Sequence, residues 1–118
     1  MARILIVDDA MFMRSRLRGL LESAGYEVLE AQNGREAVTA FAEESPDVIL
    51  MDVTMPEMDG LEALKEIRAQ SPEARVIMCS ALGQQSIVLE AVRAGARDFI
   101  VKPFRPEKVL EAVQRQIS

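Results

Sequence analysis

Three uninterrupted apolar runs constrain the fold of this chain more than any other feature of its sequence. They occupy residues 4–7, 48–51 and 76–79, and each is followed directly by an aspartate or a serine. A run of four apolar residues without polar alternation is typical of a strand covered on both faces, as in a parallel sheet. The sequence therefore predicts an α/β protein whose buried strands end in polar side chains.

Strand and helix patterns alternate along the whole chain. We predict strands at residues 3–7, 26–30, 48–52, 76–79 and 99–101, each followed by an amphipathic helix. Gly25 and Gly95 mark helix ends, Asn33 and Asp59 are suited to cap helices, and Pro106 starts the last one. Five βα units predict a single domain over residues 1–118 with a doubly wound parallel sheet and helices on both faces. The more polar strand at 26–30 is expected at an edge.

Composition excludes several classes of function. The chain has no histidine, which rules out a Ser-His triad and histidine metal ligands. A net charge of -5 argues against nucleic-acid binding, and no apolar stretch is long enough to span a membrane. The single Cys79 and the lack of a secretory signal predict a cytoplasmic protein. We interpret Cys79 as a small buried hydrophobic residue.

Five residues with side chains suited to chemistry follow or end the predicted strands: Asp8, Asp9, Asp52, Ser80 and Lys102. Each has an ordinary structural explanation, and Asp9 in particular could cap the first helix. Parallel strands, however, bring all five to one edge of the sheet. Clustered carboxylates without histidine favour Mg²⁺, and a carboxylate, a cation, a lysine and a hydroxyl are the groups needed to transfer a phosphoryl group onto Asp52.

Four segments carry a resemblance to a known family. Residues 7–9, 51–60, 80–81 and 95–104 resemble the receiver domains of two-component response regulators, and most of all the stand-alone chemotaxis regulators of thermophilic and Gram-positive-type bacteria. The resemblance covers residues 3–117. It implies a flavodoxin-like (βα)5 fold with strand order 2-1-3-4-5 and a cis bond before Pro103.

The resemblance also implies roles for individual residues. Asp52 matches the phosphoacceptor, and Ser80 and Lys102 match the residues that bind phosphoryl oxygens. The implied Mg²⁺ ligands are Asp8, Asp9, Asp52 and the backbone carbonyl of Thr54. A receiver is not a conventional enzyme, since it catalyses only its own aspartyl phosphorylation and dephosphorylation.

Signal output is expected at the fourth helix, fifth strand and fifth helix. Phe99 stands where the best-studied chemotaxis regulators have a tyrosine, so we expect it to couple to Ser80 by packing alone. Six of the eight residues at 87–94 are apolar, more than one helix face can bury, and Val88 and Val92 are the expected contact residues. The implied partners are a CheA-like histidine kinase, the flagellar motor switch and a phosphatase, with the chain acting as a monomer.

Two alternatives stay open at this point. The chain could be an interaction module that keeps the fold but takes no phosphate, or a receiver excised from a longer response regulator. A phosphatase of the haloacid-dehalogenase type is set aside because it needs a second acid two residues after the nucleophile, where this chain has Thr54.

Overall fold

One parallel sheet organises the protein. The computed structural model describes residues 1–53, 55, 58–81 and 85–117. Within these ranges the strands are β1 (Arg3–Val7), β2 (Glu27–Ala31), β3 (Val48–Asp52), β4 (Val76–Ala81) and β5 (Asp98–Lys102). All neighbours pair in parallel, in the order β2-β1-β3-β4-β5, which confirms the predicted doubly wound fold and the edge position of the second strand.

The five helices of the described ranges are divided between the two faces of this sheet. They are α1 (Met11–Ser23), α2 (Gly34–Glu44), α3 (Gly60–Gln70), α4 (Gln85–Arg93) and α5 (Pro106–Ile117). Helices α1 and α5 pack on one face, and α2, α3 and α4 contribute to the core of the other. Because side chains alternate along a strand, each strand supplies both cores. We call them the α1–α5 face and the α2–α4 face.

The element boundaries differ from the sequence prediction by one or two residues. Strand β2 begins and ends one residue later than expected, and β4 and β5 are longer. Both extensions arise because Ser80 pairs with Val101 and Ala81 pairs with Lys102, so the two strands continue side by side to the edge of the sheet. Ser80 therefore lies inside a strand rather than after it.

The predicted helix caps Asn33 and Asp59 are present, whereas Asp9 does not cap the first helix. Asn33 accepts a hydrogen bond from the Glu36 amide at 2.8 Å, and Asp59 accepts one from the Glu62 amide at 2.9 Å. Asp9 does not cap α1, since the N-cap position is Ala10. None of the helices in the described ranges has the length and apolar character needed to cross a membrane.

Candidate functional site

Three charged residues reach the carboxyl edge of the sheet on the same face. Asp8, Asp52 and Lys102 each come two residues after a strand residue of the α1–α5 core. Those core residues are Ile6, Leu50 and Ile100. The strand period of two thus directs all three charged side chains toward the α1–α5 face. Ser80 follows the opposite series, two residues after Met78, which belongs to the core of the α2–α4 face.

The charged groups lie within hydrogen-bonding and ion-binding reach of one another. Carboxylate oxygens of Asp8, Asp9 and Asp52 all lie within 4.8 Å of each other. The Lys102 ammonium is 3.1 Å from Asp8 Oδ2 and 3.2 Å from Asp52 Oδ1. Ser80, 2% exposed, lies on the neighbouring strand one residue beyond Cys79, which pairs with Asp52. The predicted carbonyl ligand Thr54 lies outside the described residues.

Burial and repulsion between carboxylates shift the pKa values of this cluster. Burial raises the pKa of the Asp52 carboxyl, and the charges of Asp8 and Asp9 raise it further, while the Lys102 ammonium only partly compensates. Burial works to lower the pKa of Lys102, but the carboxylates of Asp52 and Asp8 outweigh it, so that pKa is raised. One ammonium among three carboxylates leaves the cluster with a net negative charge, which an added cation would relieve.

The backbone and side chain of Asp8 are fixed on every side. Its amide donates to the Ala31 carbonyl at 3.2 Å, and its Oδ1 accepts from the Ala10 amide at 2.9 Å. Its carbonyl accepts from Arg14 Nη1 at 2.7 Å, and Arg14 Nε donates to Glu30 Oε1 at 2.9 Å. Arg14 and Glu30 are not among the site residues predicted from the sequence. A signal was present, because Arg14 precedes the buried Leu17 by three residues and so lies on the apolar side of α1.

A glycine allows the chain to pass close to Asp52. Gly60 starts α3, and its amide donates to the Val53 carbonyl at 2.9 Å. A Cβ atom at this position would collide with the backbone carbonyl of Asp52. Gly60 therefore lies directly against the backbone of the candidate phosphoacceptor only because it has no side chain.

Cys79 is a buried core residue, as predicted. It is 5% exposed and packs in the α1–α5 core. Burial raises the pKa of its thiol to about 12. Such a thiol is protonated and unreactive at neutral pH, so Cys79 takes no part in the chemistry of the site.

The expected output residues lie on the α4 side of the molecule. Phe99 is half-buried and packs against the core of the α2–α4 face, where its strand neighbour in register is Met78. Val88 is half-buried on α4, whereas Val92 is 52% exposed. Ser80 and Phe99 thus belong to one face of the sheet, and the acid cluster to the other. The Lys102–Pro103 peptide bond is cis.

Comparison with known proteins matches this arrangement to a family. The model of the response regulator receiver domain matches residues 4–114. The chain belongs to the response regulator receiver domain family. A chemotaxis protein CheY of Thermotoga maritima is 57% identical over 96% of this chain and 95% of the relative, and a CheY of Bacillus subtilis is 56% identical over 98% of both.

Solved structures agree with this assignment. A CheX–CheY complex with BeF3 and Mg²⁺ from Borrelia burgdorferi superimposes with a TM-score of 0.93 at 38% identity, covering 99% of this chain and 90% of the other. The protein is thus a receiver domain homologous to chemotaxis CheY, a class of phosphorylation-activated signalling switches. Receiver domains bind Mg²⁺ at an acidic pocket, and the donor set of Asp8, Asp9 and Asp52 suits that hard cation.

Proposed function

We propose that this receiver domain takes a phosphoryl group on Asp52 from a histidine kinase of the CheA type, in a reaction that requires Mg²⁺. One observation carries the proposal. Three carboxylates converge within 4.8 Å, and a single ammonium contacts both the candidate acceptor and a neighbouring acid. A cluster of this kind is unfavourable as a structural device, because the repulsion and burial that raise the Asp52 pKa work against the folded state.

Asp52 supplies the nucleophile. One of its carboxylate oxygens attacks phosphorus as the P–N bond of the donor phosphohistidine breaks, and the imidazole nitrogen leaves with the bonding electrons. Lys102 already lies 3.2 Å from Asp52 Oδ1, so its ammonium is positioned to neutralise charge on a phosphoryl oxygen. The Ser80 hydroxyl binds a second phosphoryl oxygen. The transfer is therefore accelerated mainly by positioning and charge neutralisation.

Asp8, Asp9 and Asp52 would hold the metal, together with the backbone carbonyl of Thr54 that the resemblance implies. When bound, Mg²⁺ neutralises negative charge on the acids and on the phosphoryl oxygens. The Asp8 carboxylate is already ordered by the Ala10 amide and by Lys102, which reduces the reorganisation that binding requires.

The switch runs from Ser80 to the α4 side. As Ser80 turns toward the phosphoryl group, the space beside it opens to the Phe99 ring, which packs on the same face of the sheet. Movement of this ring changes the surface formed by α4, β5 and α5, including Val88 and Val92. We propose the flagellar motor switch as the target of that surface, a phosphatase as the protein that ends the signal, and a monomer as the acting form.

Intact-mass spectrometry after incubation with Mg²⁺ and a small acyl phosphate tests the proposal. We expect one added phosphoryl group on the wild-type chain. The Asp52→Asn variant and a sample with chelated metal should show none. The same measurement with a phosphorylated CheA-like kinase in place of the acyl phosphate tests the donor.

An unmodified wild-type chain at high donor concentration, with Mg²⁺ bound, would contradict the proposal and favour the interaction module that takes no phosphate. An adduct that persists in Asp52→Asn would place the acceptor elsewhere.

A further inference from the structure

A buried guanidinium lies in the first turns of α1, directly behind the acid cluster. Arg14 is 8% exposed and is the fourth residue of the helix, after the N-cap Ala10. A buried charge is costly unless it is fully paired, and a cation near a helix N-terminus is disfavoured by the helix dipole. An apolar residue would join α1 to the sheet at this point without either penalty. The contacts of Arg14 show what a guanidinium provides at this position.

Arg14 contacts two acceptors on different strands. Its Nη1 donates to the carbonyl of Asp8, at the end of β1, and its Nε donates to the carboxylate of Glu30 on β2. Glu30 is itself held by Arg18, at 2.6 Å, and the hydrogen bonds from Arg18 and then Arg14 lower the pKa of its carboxyl. Glu30 therefore stays ionised and anchors Arg14 in the orientation that reaches Asp8.

The carbonyl that Arg14 holds belongs to the peptide plane that leads into Asp9. A peptide unit is planar, so fixing the Asp8 carbonyl also fixes the Asp9 amide and the position of the Asp9 Cα atom. Asp9 needs this support more than Asp8 does. Its side chain is exposed and has no hydrogen-bond partner in the described part of the chain, whereas Asp8 is held by Ala10 and Lys102.

We propose that Arg14 is a positioning residue for the Mg²⁺ site. Through the Asp8 carbonyl it holds the Asp8–Asp9 peptide so that the Asp9 carboxylate stays in the acid cluster, and Glu30 holds Arg14. The inference rests on the proposed function, because it assigns Arg14 to the metal site used there.

The sign of the effect separates positioning from simple electrostatics. Arg14 is a cation close to a cation site, so removing its charge should, by Coulomb's law alone, tighten Mg²⁺ binding. Loss of positioning should weaken it. A purely structural role, in which Arg14 only fastens α1 to β2, should lower the unfolding temperature and leave the affinity of the folded protein unchanged.

Calorimetric titration with Mg²⁺ alone tests the proposal on the intact chain. We expect Arg14→Met to bind Mg²⁺ about tenfold more weakly than the wild type, the scale at which partners of metal ligands act. Arg14→Lys keeps the charge but cannot donate to both acceptors in the same geometry, so it should show a smaller loss. The matched control is Arg16→Met, which removes another arginine of α1, one that is exposed and lies over the rings of Phe12 and Phe104 instead of contacting Asp8 or Glu30. It should stay within about twofold of wild type.

A second measurement is made without metal, so it can be interpreted even for a variant that binds Mg²⁺ weakly. In the metal-free Arg14→Met variant, ¹⁵N relaxation should show greater mobility of the Asp9 backbone amide than in the wild type. If Arg14→Met does not fold, Glu30→Gln, which removes the charge that anchors Arg14, should show the same increase. Arg16→Met should leave the mobility of the Asp9 amide unchanged.

Unchanged or tighter Mg²⁺ binding by folded Arg14→Met, or an Asp9 amide as ordered as in the wild type, would overturn the inference. Lack of Mg²⁺ binding by the wild type would instead count against the proposed function.

Discussion

Helices α1 and α4 lie on opposite faces of the same sheet, yet they are attached to it in different ways. Three residues of α1 are buried, namely Arg14, Leu17 and Leu21, and Arg14 and Arg18 form ion pairs with Glu30 on β2. In α4 the buried residue is Ala91, while Leu89 and Val92 are more than half exposed.

The described residues include no ion pair between α4 and another element. The two modes of attachment indicate which part of the molecule moves more easily. An element held by one buried alanine and by partly buried side chains such as Ile87 opens at lower free energy than one held by large buried apolar residues and a paired guanidinium. A change at Asp52 should therefore be absorbed on the α4 side, while α1 keeps the acids in place.

The largest effect should come from the residue that joins the two sides. Lys102 extends from β5, beside β4, to Asp8 at the end of β1. We expect Lys102→Gln to slow phosphorylation of Asp52 by acyl phosphate by about 10²- to 10³-fold, since it removes a cation that stabilises the transferring group. Rates from intact-mass time courses provide the measurement.

Lys108→Gln is the matched control for Lys102→Gln. Lys108 is exposed on α5, where it pairs with Glu111 at 4.0 Å. The Lys108→Gln variant should therefore be phosphorylated at the wild-type rate. Equal rates for Lys102→Gln and wild type would remove Lys102 from the chemistry.

Substitution of one leucine in each helix compares directly how firmly α1 and α4 are packed on the sheet. Leu21 of α1 is fully buried and Leu89 of α4 is 59% exposed. Leu21→Ala should lower the free energy of unfolding by about 3 kcal/mol, because it leaves a cavity in the core. Leu89→Ala should change it by less than about 0.5 kcal/mol. Urea unfolding measures both, and a loss at Leu89 as large as that at Leu21 would show that α4 is as firmly packed as α1.

Charge repulsion within the acid cluster of Asp8, Asp9 and Asp52 should have a smaller effect on stability. Asp52 has a raised pKa in the folded state, so its ionisation there is unfavourable. Below the ordinary pKa of an aspartate, both states are protonated and Asp52→Asn should match the wild type. As the pH rises through the raised pKa, the wild type loses stability, and at neutral pH the variant should be more stable by roughly 1 kcal/mol.

The pH dependence of unfolding in urea measures this difference, and Mg²⁺ provides an internal control. Bound cation should narrow the gap at neutral pH, because it neutralises the same carboxylate. A gap that is independent of pH would indicate that repulsion is not its origin.

The smallest effect should come from the ion pair of Arg115 with Asp98, which ties α5 to β5 at 3.4 Å. Its arginine side chain is 67% exposed, compared with 9% for Arg14 in its pair with Glu30. Solvent screens exposed pairs, so Arg115→Gln should lower the free energy of unfolding by less than about 0.5 kcal/mol. Thermal unfolding of both variants measures the two losses, and Arg14→Met should lower the free energy of unfolding by clearly more than Arg115→Gln. Equal losses would mean that burial gives the Arg14 pair no added weight.

Much of this architecture could be predicted from the sequence, for identifiable reasons. The apolar runs that became β1, β3 and β4 are buried on both faces, and this requirement leaves a pattern that periodicity detects. The same topology brings the ends of parallel strands together, so Asp8, Asp52 and Lys102 could be grouped before any distance was known.

Contacts between elements could not be predicted in the same way. Strands β4 and β5 run on to Ala81 and Lys102 because each pairs with the other, and single-strand patterns do not contain that information. The orientation of Arg14 depends on a carbonyl of β1 and a carboxylate of β2. In the sequence Arg14 is one of three arginines spaced by two residues on a helix, and only the structure shows that it alone among them is buried.

Cys79 also provides this protein with an internal reporter of its own opening. It is the chain's one thiol, it pairs in register with Asp52, and burial raises its pKa so that the thiol stays protonated at neutral pH. An alkylating reagent can therefore modify it appreciably only during excursions in which β4 separates from its neighbours. The labelling rate of Cys79, followed with no engineered probe, therefore reports how often β4 separates from its neighbours beside the candidate phosphoacceptor.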